Sequence, residues 1–263
     1  MRDKVKQQKN SFKKRWIIGA LVIILASVVW LLVESFAILN VTVEYNKMAK
    51  KYNDAVEIYN KGLENCCIDN IEGMPLELGL LKYEDENFSK ALKVLFSSNS
   101  KKKIKKDIQT IQEWVGNVEQ WNKIVEQITE PSEEWVMNQL LLVSDISEMQ
   151  AVTENNNPDG LLNKVNGYKA CVYFTLDSID PNDVAGEDIV AKGTDAGGAI
   201  EVYSTVEEAM NRCDYLSGFD GTILYSGSYA IVGTMVVRTS YMLSGESQVY
   251  LTDEIVKAFT ILE

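Results

Sequence analysis

The chain reads as an α+β protein with an N-terminal transmembrane helix, a long helical hairpin stalk and a C-terminal two-layer α+β domain. Three observations predict this. Residues 16–33 are eighteen consecutive uncharged positions. Apolar residues at 3–4 spacing then recur over two long stretches between residues 41 and 130, the mark of helices with one packing stripe. From residue 131 onward, strand-like apolar runs interleave with short amphipathic helices, the element order of an α+β domain with a largely antiparallel sheet. The predicted organisation is a basic tail at 1–15, an anchor at 16–40, a coiled-coil-like stalk at 41–130 and a folded domain at 131–263.

The anchor comes first. At 1.5 Å per residue the uncharged run gives about 27 Å of helix, close to one bilayer core. Arg2, Lys4, Lys6, Lys9, Lys13, Lys14 and Arg15 precede it against one acid, Asp3. Such a basic flank stays cytoplasmic, so the chain after residue 40 is expected on the far side of the cell membrane. The run exceeds the roughly 7–15 residues of a signal-peptide core. Glu34, Ser35, Phe36 and Ala37 follow it with no small-x-small cleavage pattern. A retained single-pass anchor is therefore favoured over a cleaved signal. Trp16 and Trp30 fall near its ends, where indole rings favour the interface.

The helical pattern continues outward. A Tyr-Asn pair recurs every seven residues, at 45/46, 52/53 and 59/60, beside a column of Met48, Ala55 and Gly62 and another of Ala49, Val56 and Leu63. Three heptads are the lower limit for a coiled coil. Two readings stand level: a stalk that forms a homo-oligomer through the 41–65 helix, and an arm packed on another helix of the same chain. Helix breakers then cluster at Gly62, Asn65, Asp69, Asn70, Gly73 and Pro75. A second helical region is predicted over 83–129, unbroken or interrupted near Ser97–Ser100, with the stripe Ile104, Ile108, Ile111, Val115, Val118, Trp121, Val125 and Ile128. Two striped helices joined by a turn-rich stretch suggest an antiparallel hairpin. Lys101, Lys102, Lys103, Lys105 and Lys106 read first as a solvated helix face, and second as a contact for an anionic polymer or lipid headgroups. Ser98 and Lys101 match the Ser-x-x-Lys spacing of penicillin-binding enzymes, but Lys192-Gly193-Thr194 is the wrong order for that site's third motif.

In the C-terminal region, Ser132 caps a helix with Glu133 and Glu134 in its first turn, predicted from Trp135 to Ile146. Residues 154–160 (ENNNPDG) form a loop, 168–176 a strand, 177–188 an acidic loop, 193–198 a glycine-rich turn and 199–203 a strand. Thr205 caps a helix that runs to Leu216. Residues 222–225 and 229–239 are expected to pair as strands around Ser226-Gly-Ser228, before a last helix over 248–262.

Composition excludes more than it proposes. Histidine is absent, which removes Ser-His-Asp and Cys-His nucleophile systems and every histidine-containing metal site. Residues 131–263 carry six basic and twenty-one acidic side chains, a balance that repels nucleic acid. No cofactor motif is present, and none is expected to bind. Cys66, Cys67, Cys171 and Cys213 fit no zinc or redox spacing. Cys171 and Cys213 read first as small core residues, with a bridge between them as the alternative; Cys213 shares an apolar helix face with Val206, Ala209 and Met210. The adjacent Cys66 and Cys67 are expected as free thiols.

Two clusters have chemical potential. Asp177, Asp180, Asp183 and Asp188, with Asn182 and Glu187, form an oxygen-rich loop of the kind that suits calcium. Asn155, Asn156, Asn157 and Asp159 form another. Such residues are also ordinary turn formers, and their spacing matches no EF-hand. Arg238 stands in a strand of an acidic domain, with Asp195, Glu201 and Asp220 as candidate partners. It would bind an anionic ligand or, more commonly, pair with one of those acids. Glu201 lies between Ile200 and Val202, so alternation is expected to expose it.

Short motifs carry a resemblance. Glu133-Glu-Trp-Val136, Ala151-Val-Thr-Glu154, Asn157-Pro-Asp-Gly160 with Leu162-Asn163, Lys192-Gly-Thr-Asp195, Ala199-Ile-Glu-Val-Tyr203 and Val232-Gly-Thr234 with Val237-Arg-Thr239 resemble an uncharacterised domain family. That family occurs in membrane-anchored proteins and lipoproteins of Gram-positive bacteria, behind helical stalks with repeated Tyr-Asn pairs. The resemblance covers about residues 40–263 and implies a cell-envelope location without any activity or catalytic residues. The expectation is a non-enzymatic binding module for an envelope protein or polymer. The competing readings are a carboxylate-dependent cell-wall hydrolase and a self-associating structural stalk.

Overall fold

The fold comes from a computed structural model that describes residues 2–64, 66 and 98–262. Cys67, the turn cluster from Asp69 to Pro75 and the expected helix start at residue 83 lie outside the described residues. The chain divides into two compact units, Met1–Asp54 with Pro75–Val115, and Ala55–Met74 with Gly116–Glu263.

Helix α1 runs unbroken over Arg2–Leu63, 62 residues or about 93 Å. It includes one stretch near the N-terminus long and apolar enough to cross a membrane, with none of that stretch buried by the rest of the chain. Burial begins at Ile38, seven residues before the first Tyr-Asn pair. In the first unit Ile38, Val41, Thr42, Ala49 and Tyr52 are buried; in the second, Ala55, Val56 and Tyr59 are. The Tyr-Asn stripe is thus covered within one chain. Helix α2 (Ser98–Gln127) carries the second stripe, with Ile108, Ile111, Val115, Val118 and Val125 buried.

The two helices are parallel, which corrects the expected hairpin. In the first unit Lys101 bonds Glu34, and the rings of Trp114 and Tyr52 meet at 5.9 Å. In the second, Asn122 donates to the Ala55 carbonyl at 3.0 Å, and Gly62 lies against Val125, close enough that a Cβ would stand 2.6 Å from its Cγ1. Within each unit residue numbers rise together along both helices. An antiparallel pair needs only a short turn. Here 34 residues separate Leu63 from Ser98, far more than such a turn needs.

Five strands form one antiparallel sheet in the second unit: β1 (Ile146–Ala151), β2 (Ala170–Leu176), β3 (Gly197–Val202), β4 (Tyr229–Val232) and β5 (Met235–Thr239), in the order β1-β2-β3-β5-β4. Helix α3 (Glu133–Leu140) precedes the strands, α4 (Ile189–Lys192), a 3-10 turn at Gly193–Ala196 and α5 (Val206–Ser217) fall between them, and α6 (Gly245–Phe259) follows them. Ser132 caps α3, accepting from the Trp135 N–H at 3.2 Å. The helix is shorter than its sequence pattern, ending at Leu140, and the chain turns into β1, an edge strand that the sequence reading lacked. Residues 229–239 are a hairpin rather than one strand, turning at Gly233-Thr234, and 222–225 is not a strand.

Helices cover both faces of the sheet, so the domain has three layers where two were expected. Register places Cys171 opposite Glu201 and Tyr173 opposite Ala199, and sets Ala199 against Arg238 and Glu201 against Val236. With period-2 alternation these side chains share one face. There Cys171, Tyr173, Ala199, Tyr203 and Val236 form a core with Ala209 and Leu216 of α5. On α5, Leu216 rather than Met210 turns inward; Met210 is exposed. The other face holds Val172, Phe174, Ile200, Met235 and Val237 under α3 and α6, where the Trp135 and Phe259 rings meet at 5.4 Å.

Helix α5 begins as the sequence predicts. Thr205 accepts the Glu208 N–H at 3.2 Å, while the Glu208 carboxylate takes the Ser204 N–H at 3.1 Å, one residue before the N–H that a capping box engages. Thr205→Ala is expected to lower stability by about 1 kcal/mol, read as a lower thermal midpoint of the full chain in detergent. An unchanged midpoint would show that Glu208 alone suffices.

Candidate functional site

Strand alternation and one helical turn bring four polar side chains onto the α5 face. Glu201 and Arg238 are diagonal neighbours on one face across β3 and β5, Tyr203 follows two residues after Glu201, and α5 swings Arg212 over them. The Glu201 carboxylate is 1% exposed and accepts four hydrogen bonds. Arg212 supplies two as a fork, Nε to Oε2 and Nη2 to Oε1, each 2.8 Å. Arg238 Nη1 reaches Oε1 at 2.9 Å, and the Tyr203 hydroxyl reaches Oε2 at 2.8 Å. Arg238 also donates through Nη2 to Ser226 Oγ at 2.9 Å. Arg212 lies 5.5 Å from the Tyr215 ring centroid, in cation–π range.

Burial alone would raise the Glu201 pKa. The Arg212 fork, the charges of Arg238 and Arg212 and the Tyr203 hydroxyl outweigh it and hold the carboxyl below its ordinary value. Burial, and then the neighbouring Glu201 charge, push the Tyr203 phenol upward. For Arg212, burial opposes the charge but the bonds to Glu201 prevail, so its pKa rises.

Above this cluster opens a groove of about 990 Å³. Tyr203, Arg212 and Arg238 line it, with Asp159 and Asn166 from the loop before β2, Tyr215 and Phe219 at the end of α5, and Leu224 and Ser226. Two guanidinium groups here share one carboxylate. Arg212 Nη1 and Arg238 Nε have no protein acceptor among the described residues. Two further acids line the walls, each satisfied by neutral donors. Asp159 accepts from the Tyr168 hydroxyl at 2.7 Å and the Leu161 N–H at 3.1 Å, and Glu208 accepts the Ser204 N–H at 3.1 Å ahead of α5. The rim is apolar and exposed, with Leu224 at 64% and Tyr215 at 59%.

Of the acids expected near Arg238, only Glu201 pairs with it. Its expected exposure is overturned because α5 covers the face to which alternation turns it. Asp195 is half-buried, and burial raises its carboxyl against the nearby charge of Arg238. Asp220 is exposed and takes the Tyr229 hydroxyl at 2.9 Å. Neither lines the groove. Sequence alone assigns no site role to Arg212, to Tyr203 at the end of its predicted strand or to Ser226 in its predicted turn.

The calcium candidates act as turn formers. Asp180 accepts both Asn182 nitrogens at 2.9 Å, and its carbonyl takes the Asp183 N–H at 3.0 Å. Asp188 caps α4 through the Ala191 N–H at 2.7 Å. Asp177 lines a small cleft of about 430 Å³ with Glu148, Glu187 and Asp188. Among the described residues no set of three acidic, cysteine or histidine side chains could hold a metal ion. Cys171 is a buried free thiol whose pKa burial raises, an inert core position. Cys213 packs at the edge of the same core, and no disulfide joins the two. Cys66 is buried as well.

Compared with protein-family models, curated proteins and solved structures, the chain matches none.

Proposed function

We propose that this is a single-pass membrane protein whose C-terminal domain is an extracytoplasmic, non-enzymatic binding module of the cell envelope. On this reading residues 16–33 cross the bilayer, the N-terminus is cytoplasmic, and α1 and α2 form a parallel helical stalk. The carrying observation is the groove: an open cavity with an apolar aromatic rim and two guanidinium groups at its base, the usual composition of a ligand site. The resemblance to anchored envelope proteins supports the same location.

The geometry favours binding over hydrolysis. A glycan hydrolase needs a proton-donating carboxyl and a second carboxylate about 5–10 Å away. Glu201 is held ionised, below its ordinary pKa, with every oxygen occupied, so it has no proton to give. The burial of the Tyr-Asn stripe within one chain likewise favours a partner of the same chain over self-association through the 41–65 helix.

The test uses the full chain in detergent, immobilised and exposed to solubilised native envelope. Leu224→Asp and Tyr215→Ala change the rim without touching Glu201. They are expected to reduce recovery of the retained species about tenfold or more, with unfolding free energy held within about 0.5 kcal/mol for Leu224→Asp and lowered by about 1–2 kcal/mol for Tyr215→Ala, which loses its contacts to Arg212 and Phe219. Equal recovery by the native chain and both variants would remove the groove from the binding reaction.

A further inference from the structure

We propose that the basic start of α2 is a docking surface for anionic phospholipid headgroups, on the leaflet from which α1 emerges. The inference rests on the reading that residues 16–33 cross the bilayer. Arg15 and Glu34 are the charged residues that bracket the apolar run, and about 27 Å of helix between them matches one hydrocarbon core. Glu34 therefore marks the interface. Its carboxylate bonds Lys101, which fixes the start of α2 at the same level.

The direction of α2 places the remaining lysines. Helix α2 ascends beside α1, from Lys101 at Glu34 to Trp114 at Tyr52. At 1.5 Å per residue Lys106 stands about 8 Å above Lys101. The headgroup layer adds about 5–8 Å to each side of the core, so Lys102, Lys103, Lys105 and Lys106, all exposed, lie within it. Lys101 is half-buried against Glu34. Among the described residues at this level the opposing acids are Glu34 and Asp107, leaving a positive excess. Polybasic segments beside a span are attracted to anionic lipid, and the attraction dies within a Debye length. The acidic balance of residues 131–263 makes this basic collar a local feature, distinct from the groove.

Lysine footprinting of the full chain in vesicles tests it. The chain is reconstituted into phosphatidylcholine alone or with about 30% phosphatidylglycerol, and treated briefly with a neutral acetylating reagent. Modification rates are read residue by residue by mass spectrometry. Lys102, Lys103, Lys105 and Lys106 are expected to react about three- to tenfold more slowly in the anionic vesicles, and to recover in ~0.5 M salt. Lys164 and Lys257 serve as internal references with equal rates in both. Equal rates for the four lysines in the two vesicles overturn the docking surface while leaving the anchor intact. Release of the chain from the vesicles by an alkaline wash overturns the anchor, and the docking surface with it.

Discussion

Glu201→Gln is expected to lower the stability of the folded domain by about 3–5 kcal/mol, enough to unfold much of a domain of ordinary stability. The native carboxylate takes hydrogen bonds from two guanidinium groups and a phenol while 1% exposed. Glutamine is nearly isosteric but neutral, and one of its two polar atoms is a donor facing donors. Two cations would then share a low-dielectric site without a counter-charge. The measurement is urea unfolding of the full chain in detergent, followed by near-ultraviolet circular dichroism. A loss below about 1 kcal/mol would mean that water reaches the cluster and screens it. The apolar triple replacement of Glu201 by Leu, Arg212 by Met and Arg238 by Met is expected to regain most of the loss, because it buries no charge.

The same carboxylate predicts an acid limit. Its folded pKa lies below the ordinary glutamate value. Its contribution is therefore fully present above about pH 4.5 and is lost as pH falls through the lowered folded value. The native chain should lose stability steeply in that window, and Glu201→Gln should titrate there with a shallower slope. Equal slopes would assign the acid transition to other carboxylates.

What the sequence revealed of this cluster follows from where its parts lie. Arg238 stood out because basic side chains are rare after residue 131, and pairing with an acid was the expected role. Arg212 lies on an amphipathic helix, where one arginine has no distinguishing pattern. Only the register of β3 against β5 and the docking of α5 bring it to Glu201. The prediction that Glu201 is exposed assumed one open sheet face. The run Ala-Cys-Val-Tyr-Phe-Thr-Leu over 170–176 argued otherwise, since nearly continuous apolar strands are covered on both sides. Strand β1 was hidden for the opposite reason, being a half-exposed edge whose sequence Ile-Ser-Glu-Met-Gln-Ala alternates poorly. Long stripes such as Ile108 to Val125 were legible because periodicity accumulates over many turns. Helix direction is not encoded in a stripe, and the parallel arrangement of α1 and α2 emerged only from which residues meet.

Gly233→Ala is expected to cost about 3–5 kcal/mol, at a position in the middle of the strand that the apolar run over 229–239 predicts. Val232 pairs with Met235, so Gly233 and Thr234 form a two-residue hairpin turn. Gly233 has φ +62° while Thr234 stays at negative φ, the pattern of a type II′ turn with glycine at its first central position. A Cβ there would stand 2.0 Å from the Ile128 carbonyl oxygen, so alanine adds a backbone collision to about 1–3 kcal/mol of strain. That oxygen accepts the Thr234 N–H at 3.1 Å, and the Thr234 hydroxyl accepts the Glu130 N–H at 2.7 Å. The Thr234 carbonyl in turn takes the Tyr203 N–H at 2.9 Å. The hairpin tip thus ties the exit of α2 to the end of β3, two residues beyond Glu201. Relieving the collision means breaking these bonds, at about 1 kcal/mol each. Thr234→Ala removes only the hydroxyl contact and should cost about 1 kcal/mol. Hydrogen exchange separates the two, because Gly233→Ala should expose the amides of Glu130, Tyr203 and Thr234 together, whereas Thr234→Ala should expose Glu130 alone. If Gly233→Ala unfolds within about 0.5 kcal/mol of the native chain, the tie between α2 and the sheet is not the rigid joint its geometry describes.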